Sequence, residues 1–210
     1  MNGCYAKILK NGGMKLRIVA GSARGRRLVS PKDDSIRPTA DRVKEAIFSI
    51  IGPCIHSSYV LDLFAGTGSL GLEAISRGAE FVTFVEKNPG SLKVLRENIK
   101  LAGFAAQSEV LSIDALRALK GFNRANRLFD LIFIDPPYGD NLYEKTLFSI
   151  DRYGIIRNGG LIIIEHPHWL GLDGIFKRFV PVKNKKYGST AISILTRRDD
   201  NEDSSISGKF

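Results

Sequence analysis

Cysteine is scarce in this chain of 210 residues, which contains Cys4 and Cys54 and no C-x-x-C spacing. Two distant cysteines favour neither a disulfide framework nor a zinc site, and such usage is typical of the reducing cytoplasm. No apolar run approaches the roughly 18 residues that a membrane span requires, and residues 1–13 lack the apolar stretch of a secretory signal. We therefore expect a cytoplasmic protein with no membrane segment and no metal site.

Acidic residues are outnumbered, because 22 Asp and Glu stand against 31 Lys and Arg, giving a formal net charge of +9. Such a surplus attracts polyanions. Segment 15–27 contains no acidic residue, and its glycines at 21 and 25 allow backbone to approach a phosphate closely. A basic run also occurs on surfaces that bind only solvent. Nucleic-acid contact is the preferred interpretation, through Arg17, Arg24, Arg26 and Arg27.

The length favours one domain, which we place at residues 14–198 with a basic N-terminal hairpin at 14–35. Residues 1–13 show no clear periodicity and are interpreted as an upstream extension or a disordered leader. Residues 199–210 form a polar tail that contains Asp199, Asp200, Glu202 and Asp203.

Apolar strands that alternate with helices predict an α/β fold with a mostly parallel sheet covered on both faces. The pattern predicts a helix capped by Thr39 and ended by Gly52-Pro53. It then predicts strands at 59–65, 81–86, 108–113, 130–135 and 161–165, with helices at 69–77, 89–102, after Asp114 and at 142–153. A closing hairpin is expected at 179–187 and 191–196, around Gly188. Ligands bind such sheets at the carboxyl ends of the strands.

A glycine-rich turn follows the first of these strands, and Gly66, Gly68 and Gly71 give a full G-x-G-x-x-G. Glu86 ends the next strand, where a carboxylate can accept hydrogen bonds from both ribose hydroxyls of a nucleoside. The pattern alone also fits an NAD enzyme. Asp62 argues against a pyrophosphate, since two anions would share a small volume, whereas the sulfonium and ammonium groups of S-adenosylmethionine suit a carboxylate. Asp114 could accept from the adenine amino group, cap the next helix, or do both.

Asp135-Pro136-Pro137-Tyr138 follows the fourth strand. Proline has no backbone donor and holds the chain extended, so Asp135 and the carbonyl of Pro136 can each accept one hydrogen of a base amino group. Tyr138 can stack on the base plane, as aromatic residues do with extruded bases. The alternative is a rigid turn that only closes the strand. Neither cysteine lies at a strand end, which disfavours cysteine-based carbon methylation, and the three histidines are interpreted as structural or surface groups, although His166 could face the site.

Taken together, these motifs resemble the bacterial 16S ribosomal RNA guanine(966)-N2-methyltransferase family over about residues 15–197. The resemblance is carried by Arg17-Ile18-Val19-Ala20-Gly21 with Arg24-Gly25-Arg26, Arg37-Pro38-Thr39 with Asp41-Arg42-Val43, residues 62–74, Glu86, and Asp135-Pro136-Pro137-Tyr138. The last element by itself is also found in DNA adenine-N6 and protein glutamine methyltransferases.

The resemblance implies a seven-stranded Rossmann-like class I methyltransferase fold with its last strand antiparallel. It also implies S-adenosylmethionine as donor and 16S ribosomal RNA, within a partly assembled small subunit, as substrate. We expect a monomer whose catalytic residues are Asp135, Pro136, Pro137 and Tyr138. The predicted cofactor contacts are Asp62, Phe64, Ala65, Gly66, Gly68, Glu86, Lys87, Asp114, Ala115, Arg37 and Thr39. Three alternatives stay open: a DNA adenine-N6 enzyme, an NAD oxidoreductase, and a non-catalytic RNA-binding assembly factor.

Overall fold

The computed structural model of the protein describes residues 16–30, 39–137, 141–171 and 178–197, and it describes residues 39–41 by their backbone alone. The predicted leader 1–13, Arg37, Tyr138 and the acidic tail 199–210 lie outside the described residues. Within the described part, no helix is both long and apolar enough to cross a bilayer.

Helices and strands alternate through most of the chain. The helices are α1 (Thr39–Ile51), α2 (Ser69–Ser76), α3 (Pro89–Ala102), α4 (Ala115–Arg124) and α5 (Leu142–Tyr153), with short 3₁₀ turns at Gly52–Cys54 and Ala105–Gln107. The strands are β1 (Tyr59–Asp62), β2 (Phe81–Val85), β3 (Ser108–Leu111), β4 (Phe129–Ile134), β5 (Ile156–Pro167), β6 (Phe179–Tyr187) and β7 (Thr190–Arg197).

Within the described residues, the strands form one seven-stranded sheet of order β3-β2-β1-β4-β5-β7-β6. Strands β1 to β5 pair in parallel, and β7 runs antiparallel to both β5 and β6. The predicted α/β fold with an antiparallel last strand is therefore confirmed. The order reverses between β1 and β4, and this switch point places the following loops around one crevice.

Two apolar layers cover the sheet, because successive residues of a strand point to opposite faces. Leu131 and Phe133 of β4 join the layer that contains α1, α2 and α3, whereas Ile132 and Ile134 join the layer that contains α4 and α5. This alternation explains why residues 131–134 of β4 are continuously apolar, as the central part of a strand covered on both sides must be.

The basic N-terminal segment folds back on itself as a short hairpin. Arg17 and Arg27 form an antiparallel bridge, and three further backbone hydrogen bonds join residues 16–18 to residues 25–28, although the segment does not extend into the two regular strands that a hairpin predicts. The hairpin also docks on α2, where Glu73 accepts from the amides of Val19 (2.7 Å) and Ala20 (3.0 Å). Backbone amides that the hairpin leaves unpaired are thus satisfied by a helix side chain.

Gly21 has a structural role that differs from the predicted one. Its φ is +83°, and a Cβ atom there would lie 1.7 Å from the carbonyl oxygen of Ser76. The close approach made by this glycine is therefore to the last residue of α2. The sequence pattern alone suggested a phosphate.

Several boundaries differ from the predicted ones. Helix α1 begins at Thr39, one residue before the predicted start, and such ends commonly vary by a residue or two. β1 ends at Asp62 and β3 at Leu111, earlier than predicted, because the chain beyond each strand turns into the loops that surround the crevice. β5 is longer than predicted at both ends, since Ile156 already pairs with Phe129 of β4 and the pairing with β7 continues to Pro167.

Candidate active site

A cavity of about 960 Å³ opens at the carboxyl ends of the parallel strands. It joins the glycine loop after β1, the ends of β2 and β3, and the Asp-Pro-Pro segment after β4. Nine of the predicted site residues line it: Phe64, Gly66, Glu86, Lys87, Asp114, Ala115, Asp135, Pro136 and Pro137. The two motifs that the sequence singled out therefore face one common space.

Three predicted cofactor contacts lie behind that surface. Asp62 is 4% exposed and accepts a hydrogen bond from the amide of Gly71 at 3.0 Å. Gly68 has a φ of +80°, and a Cβ atom there would lie 2.4 Å from Leu95 Cδ1. Together with the buried Ala65, these residues shape the loop, and their direct contact with a ligand stays a prediction.

Glu86 holds the glycine loop against the end of β2. Its Oε2 atom accepts from the amide of Gly66 at 2.8 Å, and its Oε1 atom accepts from the amides of Lys87 (2.8 Å) and Asn88 (2.7 Å). A carboxylate has about four acceptor positions. Glu86 can therefore support the loop and still accept a hydrogen bond from a ligand hydroxyl.

Asp114 is the N-cap of α4, which is one of the two roles predicted for it; the other is to accept from an adenine amino group. It accepts from the amide of Leu116 at 3.0 Å and from Lys87 Nζ at 3.2 Å. Partial burial raises the pKa of Asp114, but the hydrogen bonds from Lys87 and Leu116 outweigh it and bring the pKa below its ordinary value. The group is thus held ionised at the cavity wall beside Ala115.

Asp135 and Glu165 are neighbours at the ends of two adjacent strands. Ile134 of β4 pairs in register with Ile164 of β5, so the two carboxylates follow side by side and both line the cavity. Asp135 is exposed, and it lines the cavity. Desolvation by the protein around its carboxyl group, followed by the charges of Glu165 and Asp62, raises the pKa of Asp135 well above its ordinary value.

The charges around the cavity are predominantly negative. Burial raises the pKa of Asp62 to about 7, opposed by the hydrogen bond from Gly71 and assisted by the charge of Glu86. The two lysines of the wall have acidic partners, because Lys44 Nζ lies 3.7 Å from Glu73 and Lys87 Nζ lies 3.2 Å from Asp114. A cationic ligand would relieve this repulsion, whereas a pyrophosphate would add to it.

Sequence reasoning did not identify several lining residues. Glu165 had a visible signal, as an acidic residue at the end of an apolar strand. Lys44 and Leu16 come from the helix and the hairpin that precede the sheet, and no local pattern indicates that they reach the cavity. The other unpredicted lining residues are Thr67, Ser69, Leu70, Val85, Asn88, Ser91, Ile113, Leu116, Leu142 and Thr190.

His166 is structural. It is 3% exposed, its Nε2 atom lies 2.8 Å from Ser193 Oγ, and its Nδ1 atom lies 2.9 Å from the carbonyl oxygen of Pro167. It alternates with Glu165 along β5, so it points to the opposite face of the sheet. In the described parts of the chain, His, Cys, Asp and Glu form no group of three or more that could hold a metal ion.

The four predicted RNA contacts are exposed on the N-terminal segment. Arg26 also has a structural role, since its Nη1 atom donates to the carbonyl oxygens of Leu101 (2.9 Å) and Ala102 (2.7 Å) at the end of α3. Such cationic groups stabilise a helix C-terminus. Arg24 and Arg27 are therefore the better residues for testing RNA contact alone.

Comparison with known proteins agrees with this geometry. The family described as "Conserved hypothetical protein 95" matches residues 16–196. "Putative rRNA methyltransferase YlbH" of Bacillus subtilis is 36% identical over 87% of this chain and 100% of its own length. "Ribosomal RNA small subunit methyltransferase D" of Haemophilus influenzae is 40% identical, covering 72% of this chain and 78% of its own.

Among solved structures, "Putative methyltransferase yhhF from Escherichia coli" superimposes with a TM-score of 0.77 at 28% identity, covering 88% of this chain and 99% of the other. The predicted resemblance is thus confirmed, and the family and fold support S-adenosylmethionine as cofactor. The chain belongs to the Conserved hypothetical protein 95 family, together with these ribosomal RNA methyltransferases, and has the class I S-adenosylmethionine-dependent methyltransferase fold.

Proposed function

We propose that the protein transfers a methyl group from S-adenosylmethionine to the exocyclic N2 atom of a guanine in 16S ribosomal RNA, the guanine 966 that the sequence resemblance implies. One observation carries this proposal: Asp135 and Pro136 share a single acidic cavity with Gly66 and Glu86. The relative from Haemophilus influenzae, named as a small-subunit ribosomal RNA methyltransferase, supports the choice of substrate.

The residues of the cavity fit this donor. Glu86 would accept from the ribose hydroxyls, Asp114 from the adenine amino group, and Gly66 would allow close approach of the backbone. When bound, S-adenosylmethionine supplies a methyl group attached to a sulfonium cation. The carboxylates of Asp135 and Glu165 favour that positive charge, and this is the main reason to prefer it over NAD.

The acceptor amine would lie against the segment after β4. Asp135 would accept one N–H and the carbonyl of Pro136 the other, so that the nitrogen lone pair is directed away from the base ring. Holding the two reactants in this arrangement can contribute up to roughly 7–11 kcal/mol to lowering the barrier. The amine gives up one proton after its new bond forms, and the raised pKa of Asp135 suits this carboxylate to receive it.

Replacing Glu165 by Gln is expected to move the acid limb of the pH–activity profile to lower pH. Asp135 must be ionised to accept the amine hydrogen, so activity rises with pH through its pKa. The charge of Glu165 raises that pKa, and removing the charge lowers it. The measurement is kcat/KM against pH, with Glu97→Gln on the exposed face of α3 as the matched control. If the acid limb of Glu165→Gln stays in place or moves to higher pH, the charge of Glu165 does not raise the pKa of Asp135.

Replacing Arg24 and Arg27 together by Ala is expected to weaken RNA binding and to reduce its salt dependence. Each phosphate contact contributes roughly 0.7–0.9 to the slope of log K against log salt, so two lost contacts reduce the slope by about 1.5. The matched control removes two exposed cations from α4, Lys120 and Arg124. Equal slopes for the double variant and the wild type would exclude this segment as an RNA contact.

The proposal is tested with purified protein and radiolabelled S-adenosylmethionine. We expect label in 16S ribosomal RNA of small-subunit particles that lack the modification, and N2-methylguanosine on nucleoside analysis. Label in duplex DNA as N6-methyladenine would favour the DNA enzyme. Binding of NAD but not of S-adenosylmethionine would favour an oxidoreductase. RNA binding without transfer would favour an assembly factor.

The same proposal includes three further points: the protein acts in the cytoplasm, it acts as a monomer, and its substrate is an assembly intermediate of the small subunit.

A further inference from the structure

An exposed aromatic residue follows the end of β5. Trp169 is 75% exposed, although tryptophan is the largest side chain and usually buries most of its surface. It is also the only tryptophan of the chain. Its neighbours are held firmly, since the amide of His168 donates to the carbonyl of Ser189 at 3.0 Å and the amide of Leu170 to that of Pro167 at 3.0 Å.

This position is connected to the rim of the cavity through the neighbouring strands. Pro167 of β5 pairs with Thr190 of β7, and Thr190 pairs with Tyr187 of β6. Thr190 lines the cavity. The three residues form a row across the sheet of roughly 10 Å, given strand spacings of about 4.8 Å. Trp169 lies two residues beyond Pro167, at one end of this row. Lys185 and Lys186 come directly before Tyr187, at the other end.

The edge strand β6 is strongly basic and exposed. Lys183, Lys185 and Lys186 are all exposed, together with Val182 before them and Asn184 between them. No acidic residue occurs in β6 or in the turn that follows it. Lysine on an edge strand also prevents pairing with another sheet, but that role does not require an aromatic residue at the same rim.

We propose that Trp169, Lys185 and Lys186 form a second RNA-contact surface, on the side of the cavity opposite the basic N-terminal segment. The indole stacks on an unpaired base that neighbours the target nucleotide. Lys185 and Lys186 alternate along the edge strand and leave it on opposite faces of the sheet, so each ammonium group contacts a different phosphate of the strand that passes this edge. Aromatic side chains next to a positively charged groove bind single-stranded nucleic acid in this way. The N-terminal segment docks on α2 and α3, whereas β6 is the far edge of the sheet, so RNA would be held on both sides of the cavity.

This inference rests on the proposed function, because the RNA is the substrate of that reaction. It adds the prediction that recognition includes a flanking unpaired base as well as the target. A surface that combines tryptophan with lysine could also contact an anionic membrane. RNA is favoured because the surface adjoins the cavity where the base must enter.

The single tryptophan allows a direct test that does not depend on activity. The full-length protein is titrated with a synthetic RNA stem-loop that has unpaired guanines in its loop, and tryptophan emission and its quenching by acrylamide are recorded. We expect the RNA to quench the emission and to protect Trp169 from acrylamide. RNA that fails to bind, or that binds without either change, overturns the proposal, as does a response to phosphatidylserine vesicles but not to RNA.

Affinity measurements with labelled stem-loop complete the test. Trp169→Ala is expected to weaken binding roughly 5- to 150-fold, the effect of losing one base stack, and Trp169→Phe is expected to restore most of it. Phe148→Ala is the matched control, since Phe148 is 62% exposed on α5. Lys185→Ala with Lys186→Ala should also reduce the salt slope. Equal affinities for Trp169→Ala and Phe148→Ala overturn the proposal, whereas failure of the proposed function would appear as absence of methyl transfer by the wild type.

Discussion

Asp135→Ala is expected to abolish methyl transfer while S-adenosylmethionine still binds. Asp135 lies at the Asp-Pro-Pro end of the cavity, and the glycine loop and Glu86 lie at the other. Its proposed role is to orient the amine, so the loss should appear in kcat. Removing one preorganised hydrogen-bonding group from an active site typically costs about 10²–10³ in kcat. Single-turnover transfer to ribosomal RNA and calorimetric binding of S-adenosylhomocysteine measure the two effects separately.

Asp62→Asn is the matched control for this result. Asp62 also contributes to the acidic surroundings, but it is buried behind the cavity, and an Asn oxygen can still accept from the Gly71 amide. We expect this variant to retain far more transfer than Asp135→Ala. An Asp135→Ala protein that transfers methyl groups normally, but no longer binds the donor, would contradict the role given to Asp135.

Glu73→Ala is expected to destabilise the protein by about 3–5 kcal/mol, the usual cost of breaking a buried charge network. Glu73 is 0% exposed and accepts from the amides of Val19 and Ala20 and from Arg77 Nε at 2.7 Å. The substitution leaves these donors without an acceptor and detaches the N-terminal segment from α2. Thermal unfolding should show a fall in Tm of roughly 6–20 °C for a domain of this size.

Hydrogen exchange separates this explanation from a general loss of packing. The amides of Val19 and Ala20 should lose protection in Glu73→Ala well before those of the sheet core, such as Ile132. Glu73→Gln keeps one acceptor oxygen, so its Tm and its amide protection at Val19 should lie between those of Glu73→Ala and those of the wild type. Unchanged Tm together with unchanged protection at Val19 would show that Glu73 does not hold the segment.

The sequence predicted most of the fold because apolar alternation and glycine turns are local signals. The boundaries of α5, β6 and α3 agree with the predicted ones, and the side chain of Asn88 caps α3 by accepting from the amide of Ser91. The N-terminal segment was harder to predict. The hydrogen bonds that dock it on the helices go to Glu73 and to Asn98 (which bonds both the amide and the carbonyl of Val29), and both of these residues are more than fifty positions away.

The sequence predicted the site residues that lie within motifs, but not those that other parts of the fold bring to the cavity. Residues at strand ends, such as Glu86 and Asp135, could be placed because parallel strands bring their carboxyl ends together. The local sequence did not show that Arg26 would cap α3, nor that Lys44, on a helix before the sheet, would line the cavity. Both depend on how separate elements pack. The predicted stacking residue Tyr138 and the predicted cofactor contact Arg37 lie outside the described residues and stay predictions.

The proposed methylation can be examined in vivo by mass-spectrometric mapping of 16S ribosomal RNA from cells with and without the gene. We expect one guanine to carry an N2-methyl group only when the gene is present, and we expect the wild-type chain, but not Asp135→Ala, to restore it. Identical methylation in both strains, or restoration by Asp135→Ala, would contradict the proposal.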